Sequence, residues 1–309
     1  MVIHYGYETL KLVNPVVTLG IFDGVHLGHR AIISRLLSCA EEIKGESVVI
    51  TFDPHPRLVL DSKSGKPTFL STMDEKEKLL AGTGIDHLVI IQFTAGFSRM
   101  TASDFVKNIL ADKIGTRRLI IGYDHHFGHG GTGDYYSIRE YAGNMGIIVE
   151  QIKGLRSEGV VISSSEIREA LINGNLDDAN RWLGYNYSFR GIVVRGKKIG
   201  RKLGFPTANL EPGDKNKLIP SSGVYAVEVR AGEMTMPGML SIGTNPTVNR
   251  ESGVRSVEVH IFDFDGEIYG SELEIIFRRR LRDEKRFDTT DELVRQIRID
   301  MDNALKALG

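Results

Sequence analysis

Val16-Val17-Thr18-Leu19-Gly20-Ile21 runs directly into Phe22-Asp23-Gly24-Val25-His26-Leu27-Gly28-His29, and this junction decides the fold. The first six residues read as a buried strand. A helix follows from about His29 to Lys44: Ile32, Ile33, Leu36, Leu37, Ala40 and Ile43 fall at helical spacing, and Gly45 stops the pattern. Cys39 lies near that apolar stripe and reads as a packing residue. A helix start offers unpaired N–H groups and a partial positive charge to an anion, and small residues let the backbone come close to it. His26 and His29, three apart at the helix entrance, can present imidazole donors to the same oxygens. The junction therefore reads as a phosphate-binding turn.

Working outward, further strands are expected at Val48–Phe52, His87–Phe93, Leu119–Gly122 and Ile147–Ile152, with helices around Asp74–Ala81, Ala102–Lys113 and Tyr135–Asn144. Alternation of helices with continuously apolar strands predicts a parallel sheet covered on both faces. After about residue 185 the pattern becomes apolar/polar alternation, in Tyr187–Arg195, Val224–Arg230, Val254–Phe264 and Leu273–Arg279, with Gly- and Pro-containing turns between. That predicts antiparallel sheet or barrel. A closing helix from about Thr290 to Leu308 carries Leu293, Ile297, Met301, Ala304, Leu305 and Leu308 on one face, with Thr289 and Glu292 as a capping box. The expected fold is α/β: an N-terminal doubly wound parallel sheet over residues 1–184, then an antiparallel β-barrel with a closing helix over 185–309.

Composition narrows the functions. The 309 residues carry 39 Lys+Arg against 40 Asp+Glu, a net charge of −1, which argues against a basic nucleic-acid coat or a polybasic membrane binder. One Cys allows no internal disulfide, and no Cys/His framework for structural zinc is present. No signal peptide is visible and no apolar run approaches the ~20 residues of a membrane span, so a cytoplasmic protein is expected.

The longer stretch Gly-x-Phe-Asp-Gly-x-His-x-Gly-His (Gly20–His29) resembles the His-x-Gly-His signature of the nucleotidylyltransferase superfamily. In particular it looks like the FMN adenylyltransferase half of the bifunctional riboflavin kinase/FMN adenylyltransferases. Thr51-Phe52-Asp53-Pro54-His55-Pro56, Gly122-Tyr123-Asp124-His125-His126-Phe127-Gly128 and Ile162-Ser163-Ser164-Ser165-Glu166-Ile167-Arg168 are similar to the same family. The resemblance implies transfer of AMP from ATP to FMN with release of pyrophosphate. No protein nucleophile is needed, so catalysis rests on positioning and on stabilising phosphate charge. It implies an ATP site built from Gly20, Phe22, Asp23, Gly24, His26, Gly28, His29, Asp124, Ser163, Ser164 and Arg168. His26 and His29 would contact the phosphates in the transition state, and Ser163, Ser164 and Arg168 would hold the β,γ-phosphates. Without the resemblance, the serine run before the Ile167 helix reads as a plain N-cap.

Departures from the family pattern are His125 where an aromatic residue is usual, His126 and His129 where Arg or Lys is expected, and Ser165 where Thr is common. The histidines read as a partly charged rim of the nucleotide cleft, weakening at alkaline pH. Gly128-His129-Gly130-Gly131-Thr132-Gly133, with Glu150 further on, imitates a dinucleotide-binding fingerprint. It does not follow its strand immediately, so it is set aside.

In the second half no P-loop sequence occurs. Gly196-Lys197-Lys198-Ile199-Gly200-Arg201-Lys202-Leu203-Gly204-Phe205-Pro206-Thr207-Ala208-Asn209 instead makes a cationic, glycine-rich loop ending in two hard oxygen donors, Thr207 and Asn209, on one side of extended chain. It resembles the riboflavin kinase signature. In Ser256–Phe262 the alternation puts Val257, Val259 and Ile261 on one face and Glu258 and His260 on the other. By itself Glu258 could be a solvated edge-strand residue. The resemblance implies that Glu258 is the general base toward the riboflavin hydroxyl and that Thr207 and Asn209 ligate Mg²⁺. It also implies that Gly196, Gly200, Gly204, Pro206, Arg282 and Phe287 line the ATP and flavin sites, with Arg282 and Phe287 at the flavin end. Asp263–Gly270 and Ser241–Thr247 fit the same pattern. The expected partners are the small molecules ATP, riboflavin and FMN, with no nucleic acid or membrane, and oligomerisation is left open. Two other readings stand beside this: a chain with kinase activity alone, and a non-catalytic nucleotide- or RNA-binding protein.

Overall fold

The computed structural model describes residues 1–60, 67–123, 127–131, 133–196, 200, 203–244 and 255–309. They fall into two compact units, Met1–Ser164 and Ser165–Gly309.

In the first unit, strands β1 (Val2–Tyr5), β2 (Val16–Leu19), β3 (Ser47–Asp53), β4 (His87–Gln92), β5 (Arg118–Gly122) and β6 (Ile148–Ile152) form one sheet in the order β1-β4-β3-β2-β5-β6. All its pairings are parallel. Alternate residues feed two cores. Val17, Leu19, Val48, Ile50, Val89 and Ile121 pack on one face, and Val16, Val49, Leu88, Ile90 and Ile120 on the other. The second face is covered by α1 (Leu27–Glu42), which buries Ile33, Leu36, Cys39 and Ala40 as its periodicity predicts. A chain direction reversal in strand order lies at β2, between β3 and β5, and open α/β sheets bind ligands at such points.

The helix expected over Ala102–Lys113 is present but changes character. After a single α turn, Ala102–Asp104, the chain is π-helical from Phe105 to Ile114. The wider turn brings Phe105, Ile109, Leu110 and Ile114 together into the first core. The edge strand β1 was not expected; Val2 and Tyr5 are exposed and Ile3 and His4 only partly buried, so they carry little pattern. Gly128 and Gly133 of the dinucleotide-like stretch abut Ala102, with an added Cβ meeting Ala102 N at 2.5 Å and Ala102 Cβ at 2.7 Å respectively. Those glycines have a close-approach role in the fold.

The second unit begins with α6 (Ser164–Ile172, its first residue belonging to the first unit) and α7 (Leu176–Leu183), counting the earlier helices α2 (Pro56–Leu60), α3 (Met73–Ala81), α4 (Ala102–Asp104) and α5 (Tyr135–Gly143). Strands β7 (Arg156–Ser157) and β8 (Val160–Val161) form a small hairpin in the first unit. Strands β9 (Ser188–Val194), β10 (Ala208–Pro212), β11 (Gly223–Ala231), β12 (Met234–Thr244), β13 (Arg255–Ile261) and β14 (Glu272–Arg282) then close into a barrel ordered β10-β13-β12-β11-β14-β9. Helix α8 (Thr290–Leu308) lies on the barrel wall, where Ala304, Ile297, Met301 and Leu308 meet Val224, Ala226, Met239 and Phe262. Leu305, expected on that stripe, is 46% exposed. The packed positions 297, 301, 304 and 308 step by four, three and four, which leaves 305 beside the stripe. At the helix start Thr289 Oγ1 accepts from Glu292 N at 3.3 Å, but the Glu292 carboxylate accepts from Asp288 N, one residue before the expected partner.

An ion pair fastens α8 to β14. Arg282 donates from Nε to both Asp300 carboxylate oxygens (3.0 and 2.9 Å) and from Nη2 to Oδ2 (2.6 Å), and Asp300 is 2% exposed. Breaking a buried pair from one side leaves the other charge uncompensated. Asp300→Ala should therefore lower barrel stability by about 3–5 kcal/mol, and the joint change Arg282→Met with Asp300→Leu should recover most of it. Denaturant unfolding of the variants checks both.

Candidate active sites

The turn between β2 and α1 holds three positive φ angles in four residues: Phe22 at 51°, Gly24 at 78° and Val25 at 38°. Two of these are costly for a side-chain-bearing residue, so the surroundings must enforce them. The Asp23 carboxylate accepts from Leu70 N (2.9 Å), Ser71 N (2.9 Å) and Ser71 Oγ (3.3 Å), and Gly24 N donates to Ser71 Oγ (2.9 Å). Thr51 Oγ1 donates to Ile21 O (3.2 Å) and Ser164 Oγ to Asp23 O (3.0 Å). Gly20 sits against the Phe22 ring, and a Cβ on Gly28 would lie 3.1 Å from the His26 ring and 3.2 Å from Ile162 O.

His26 caps α1: its Nδ1 accepts from His29 N at 3.3 Å, which leaves Nε2 as the donor of the neutral ring. The two imidazoles stack at 3.6 Å with 19° between planes, and His29 also meets Phe22 at 5.1 Å. His29 Nδ1 is buried without a hydrogen-bond partner. Burial, then the nearness of His26 and Lys76, holds the His29 pKa well below the usual imidazole range. The pair thus offers N–H donors without two standing charges, a state that an incoming phosphate can polarise. Lys76 on α3 is 5% exposed, with Nζ 3.5 Å from Thr51 Oγ1. Burial pulls its pKa down while Asp23 and Asp53 oppose the shift.

Ser163 precedes α6 and Ser164 opens it, the helix start that the sequence predicted. Arg168 lies one turn along the same helix and donates from Nη2 to Ser165 Oγ at 3.3 Å. Asp124, His125 and His126 lie outside the described residues, as does the His129 side chain.

In the barrel, strand register assembles the second site. Asn209 of β10 pairs with Glu258 of β13, Glu258 with Ser241 of β12, Ser241 with Val224 of β11, and Val224 with Arg282 of β14. Directly paired residues share a face, so one row of side chains crosses the barrel wall from β10 to β14, and Val224 in that row packs against α8. Thr207 Oγ1 donates to Glu258 Oε2 at 3.1 Å, bringing the two donors and the carboxylate named from sequence onto one surface. Val257, Val259 and Ile261 are buried on the opposite face, as the alternation predicts. An added Cβ on Gly196 would lie 2.0 Å from Asn209 Nδ2, and one on Gly200 would lie 3.2 Å from Thr207 Oγ1 and 2.3 Å from Phe205 O. Glycine at both positions is what lets Thr207 and Asn209 keep their places. Gly204, at φ 84°, makes the turn that precedes Phe205 and Pro206.

Two cavities meet here. One, of about 620 Å³, is lined by Glu258, His260, Phe205, Met239, Arg282 and Phe287 among others. The second, of about 440 Å³, is lined by Val193, Pro206, Val259, Phe264, Gly266 and Tyr269 among others. Thr207 lines both. Arg282 and Phe287 do border the first cavity, with the guanidinium 5.9 Å from the Phe287 ring. The Arg282 donors, however, are engaged by Asp300 and Asp283 O. The sequence reading missed Asp300 and the Ser71 strap on Asp23. An aspartate beside Ile297 and Met301 on the apolar stripe of α8 was the available signal for the first; the second had none.

Comparison with known proteins matches both units. The family model described as FAD synthetase matches residues 10–166, and that described as riboflavin kinase matches residues 183–308. The bifunctional riboflavin kinase/FMN adenylyltransferase of Listeria monocytogenes is 37% identical over 93% of this chain and 90% of its own length. That of Escherichia coli K12 is 36% identical over 95% and 93%. A crystal structure described as a macrolide-efflux protein from Streptococcus pneumoniae has a TM-score of 0.87 at 30% identity, covering 98% of each chain. With both family models matched in succession and relatives aligned along nearly their whole length, the chain belongs to the bifunctional riboflavin kinase/FMN adenylyltransferases.

Proposed function

We propose that the barrel phosphorylates riboflavin to FMN with Glu258 as general base, and that the parallel-sheet unit adenylylates FMN to FAD on the His26–His29 turn. The functional boundary is placed at 184/185, past the end of the FAD synthetase match at residue 166 and two residues into the riboflavin kinase match that starts at 183. ATP, riboflavin and FMN are the partners, met in the cytoplasm. The observation that carries the kinase reading is the position of Thr207, in the wall common to both cavities and bonded to Glu258. The larger cavity, with Phe205, Met239 and Phe287, suits a planar flavin. The smaller one suits ATP.

The Glu258 carboxylate has one hydrogen bond from Thr207 and borders open space. It can therefore take a proton from a hydroxyl placed against it. Thr207 and Asn209 offer neutral oxygen donors, the type Mg²⁺ accepts when phosphates and water complete its shell, and the Gly196 and Gly200 cradle fits that use. When bound there, Mg²⁺ would offset charge on the transferred phosphoryl group. In the parallel-sheet unit, neutral stacked imidazoles and the α1 N-terminus donate to phosphate oxygens, with Ser163 and Ser164 supplying further donors.

Separate sites should fail separately. Glu258→Ala should cut FMN formation by ~10²–10⁴-fold and spare FAD formation from supplied FMN. His29→Ala should do the reverse, by ~10²–10³-fold. Product analysis by chromatography decides, and equal loss of both activities in either variant would refute the assignment. Thr207→Ala, and Gly196→Ala through its collision with Asn209, should raise the Mg²⁺ concentration needed for half-maximal FMN formation. An unchanged requirement in both would remove Thr207 and Asn209 as ligands.

Acid should weaken the parallel-sheet unit. The folded His29 resists a proton that the unfolded imidazole takes up near pH ~6.5. Stability is thus full above that pH and falls below it, by up to about 1.4 kcal/mol per pH unit. Calorimetric melting between pH 7.5 and 5 should show this slope, and His29→Asn should flatten it. An equal slope in the variant would place the acid sensitivity elsewhere.

A further inference from the structure

We propose that His260 is a positioning residue of the phosphoryl-transfer site: its Nδ1–H fixes the carbonyl of Pro206 and so holds the Thr207 hydroxyl against Glu258. This rests on Thr207 acting as proposed above.

The observation is a ladder that stops short. Strand β10 pairs with β13 at only two positions, Asn209 with Glu258 and Ala208 with Val259. Continued one step, the register would set Thr207 opposite His260, and another step would reach Pro206. Pro206 has no N–H to donate, and Thr207 precedes the first residue of β10. Backbone pairing therefore ends immediately before the residue whose placement the site needs most. His260 takes over with its side chain. Its Nδ1 lies 2.7 Å from Pro206 O, and a carbonyl can only accept, so Nδ1 carries the proton.

The ring is itself held. It is 9% exposed, with Phe205 edge-on at 5.9 Å and Phe262 at 5.6 Å. It follows Glu258 by two residues, on the same face of β13, and borders the larger cavity. One imidazole thus ties the base-bearing strand to the segment that carries the hydroxyl. A residue whose partner holds a ligand in place acts on cation affinity and turnover together, whereas a wall-filling residue acts on stability alone.

The test uses the full chain and three variants. In His260→Asn the carboxamide N–H stands near where Nδ1–H stood; in His260→Gln it is displaced by one bond; His260→Leu has none. FMN formation is measured against Mg²⁺ at saturating ATP and riboflavin. Leu and Gln should lower turnover by about 10–100-fold and raise the Mg²⁺ requirement, Asn should recover to within about threefold, and adenylyl transfer from supplied FMN should be unchanged in all three. Independently of activity, nitrogen-15 NMR of the histidine-labelled protein should find the His260 ring, identified by its loss in His260→Asn, in the Nδ1–H tautomer.

An Nε2–H tautomer, an Asn variant no better than Gln, or a Leu variant with an unchanged Mg²⁺ requirement would each overturn the proposal. If His260→Leu does not fold, the tautomer and the Asn–Gln comparison still decide. Thr207→Ala separates this inference from the one beneath it. If that variant leaves the Mg²⁺ requirement unchanged, the ligand reading fails; if it raises the requirement and His260→Leu does not, only the role of His260 fails.

Discussion

The barrel closes at the short junction between β10 and β13, and the same two residue pairs set Asn209 beside Glu258, the carboxylate proposed as the base. Because side chains alternate across a strand, a slip of one residue there would turn Asn209 inward and set Glu258 opposite a different neighbour. It would also open the barrel, since β10 is the strand that joins β13 to β9. Closure and the proposed kinase site thus share one register. Change at two positions before β10 is constrained accordingly: Gly196 and Gly200 must stay small enough for Asn209 and Thr207 to reach the row.

The parallel-sheet unit meets the opposite problem. Its turn must expose backbone N–H groups at a helix start while holding Phe22 and Val25 at positive φ. The strain is balanced by bonds from two neighbouring segments, Thr51 of β3 and Leu70–Ser71 before α3. The turn is therefore stiff before any nucleotide arrives, and stiffness is what an electrostatic site needs, since donors that must reorganise lose much of their advantage.

Much of this was legible because periodicity reports burial. The strands β2 to β5 are apolar over most of their length and helix α1 at clean helical steps, and Val257, Glu258, Val259 and His260 alternate without interruption. What was not legible lacks such a pattern. Strand β10 is five residues ending in Pro212, and β12 carries Pro237 and Gly238 at its middle, residues that normally argue against a strand. Helix α7 did leave a signal, Leu176, Ala179, Trp182 and Leu183 at helical spacing, all buried. The π-helical Phe105–Ile114 cannot be told from an α-helix by apolar spacing alone. Of the site residues, those tied to short motifs were visible in the chain. Of their supports, Asp300 left only the trace of an acid on an apolar helix face, and Ser71, a contact made across 47 residues, left none.

The two carboxylates singled out from sequence show how geometry sorts chemically equal groups. Asp23 is 3% exposed, and its oxygens accept from three donors of residues 70 and 71. With those bonds it serves as a fixed acceptor that shapes the turn. Glu258 accepts one bond, from a hydroxyl that could exchange it for another partner, and faces a cavity large enough for a substrate. Its second oxygen is the one placed to gain a proton without loss of structure. Capacity to act as a base follows from how few of a carboxylate's bonds the fold has already claimed, and by that measure the turn's acid is architectural while the barrel's acid keeps the freedom its proposed role requires.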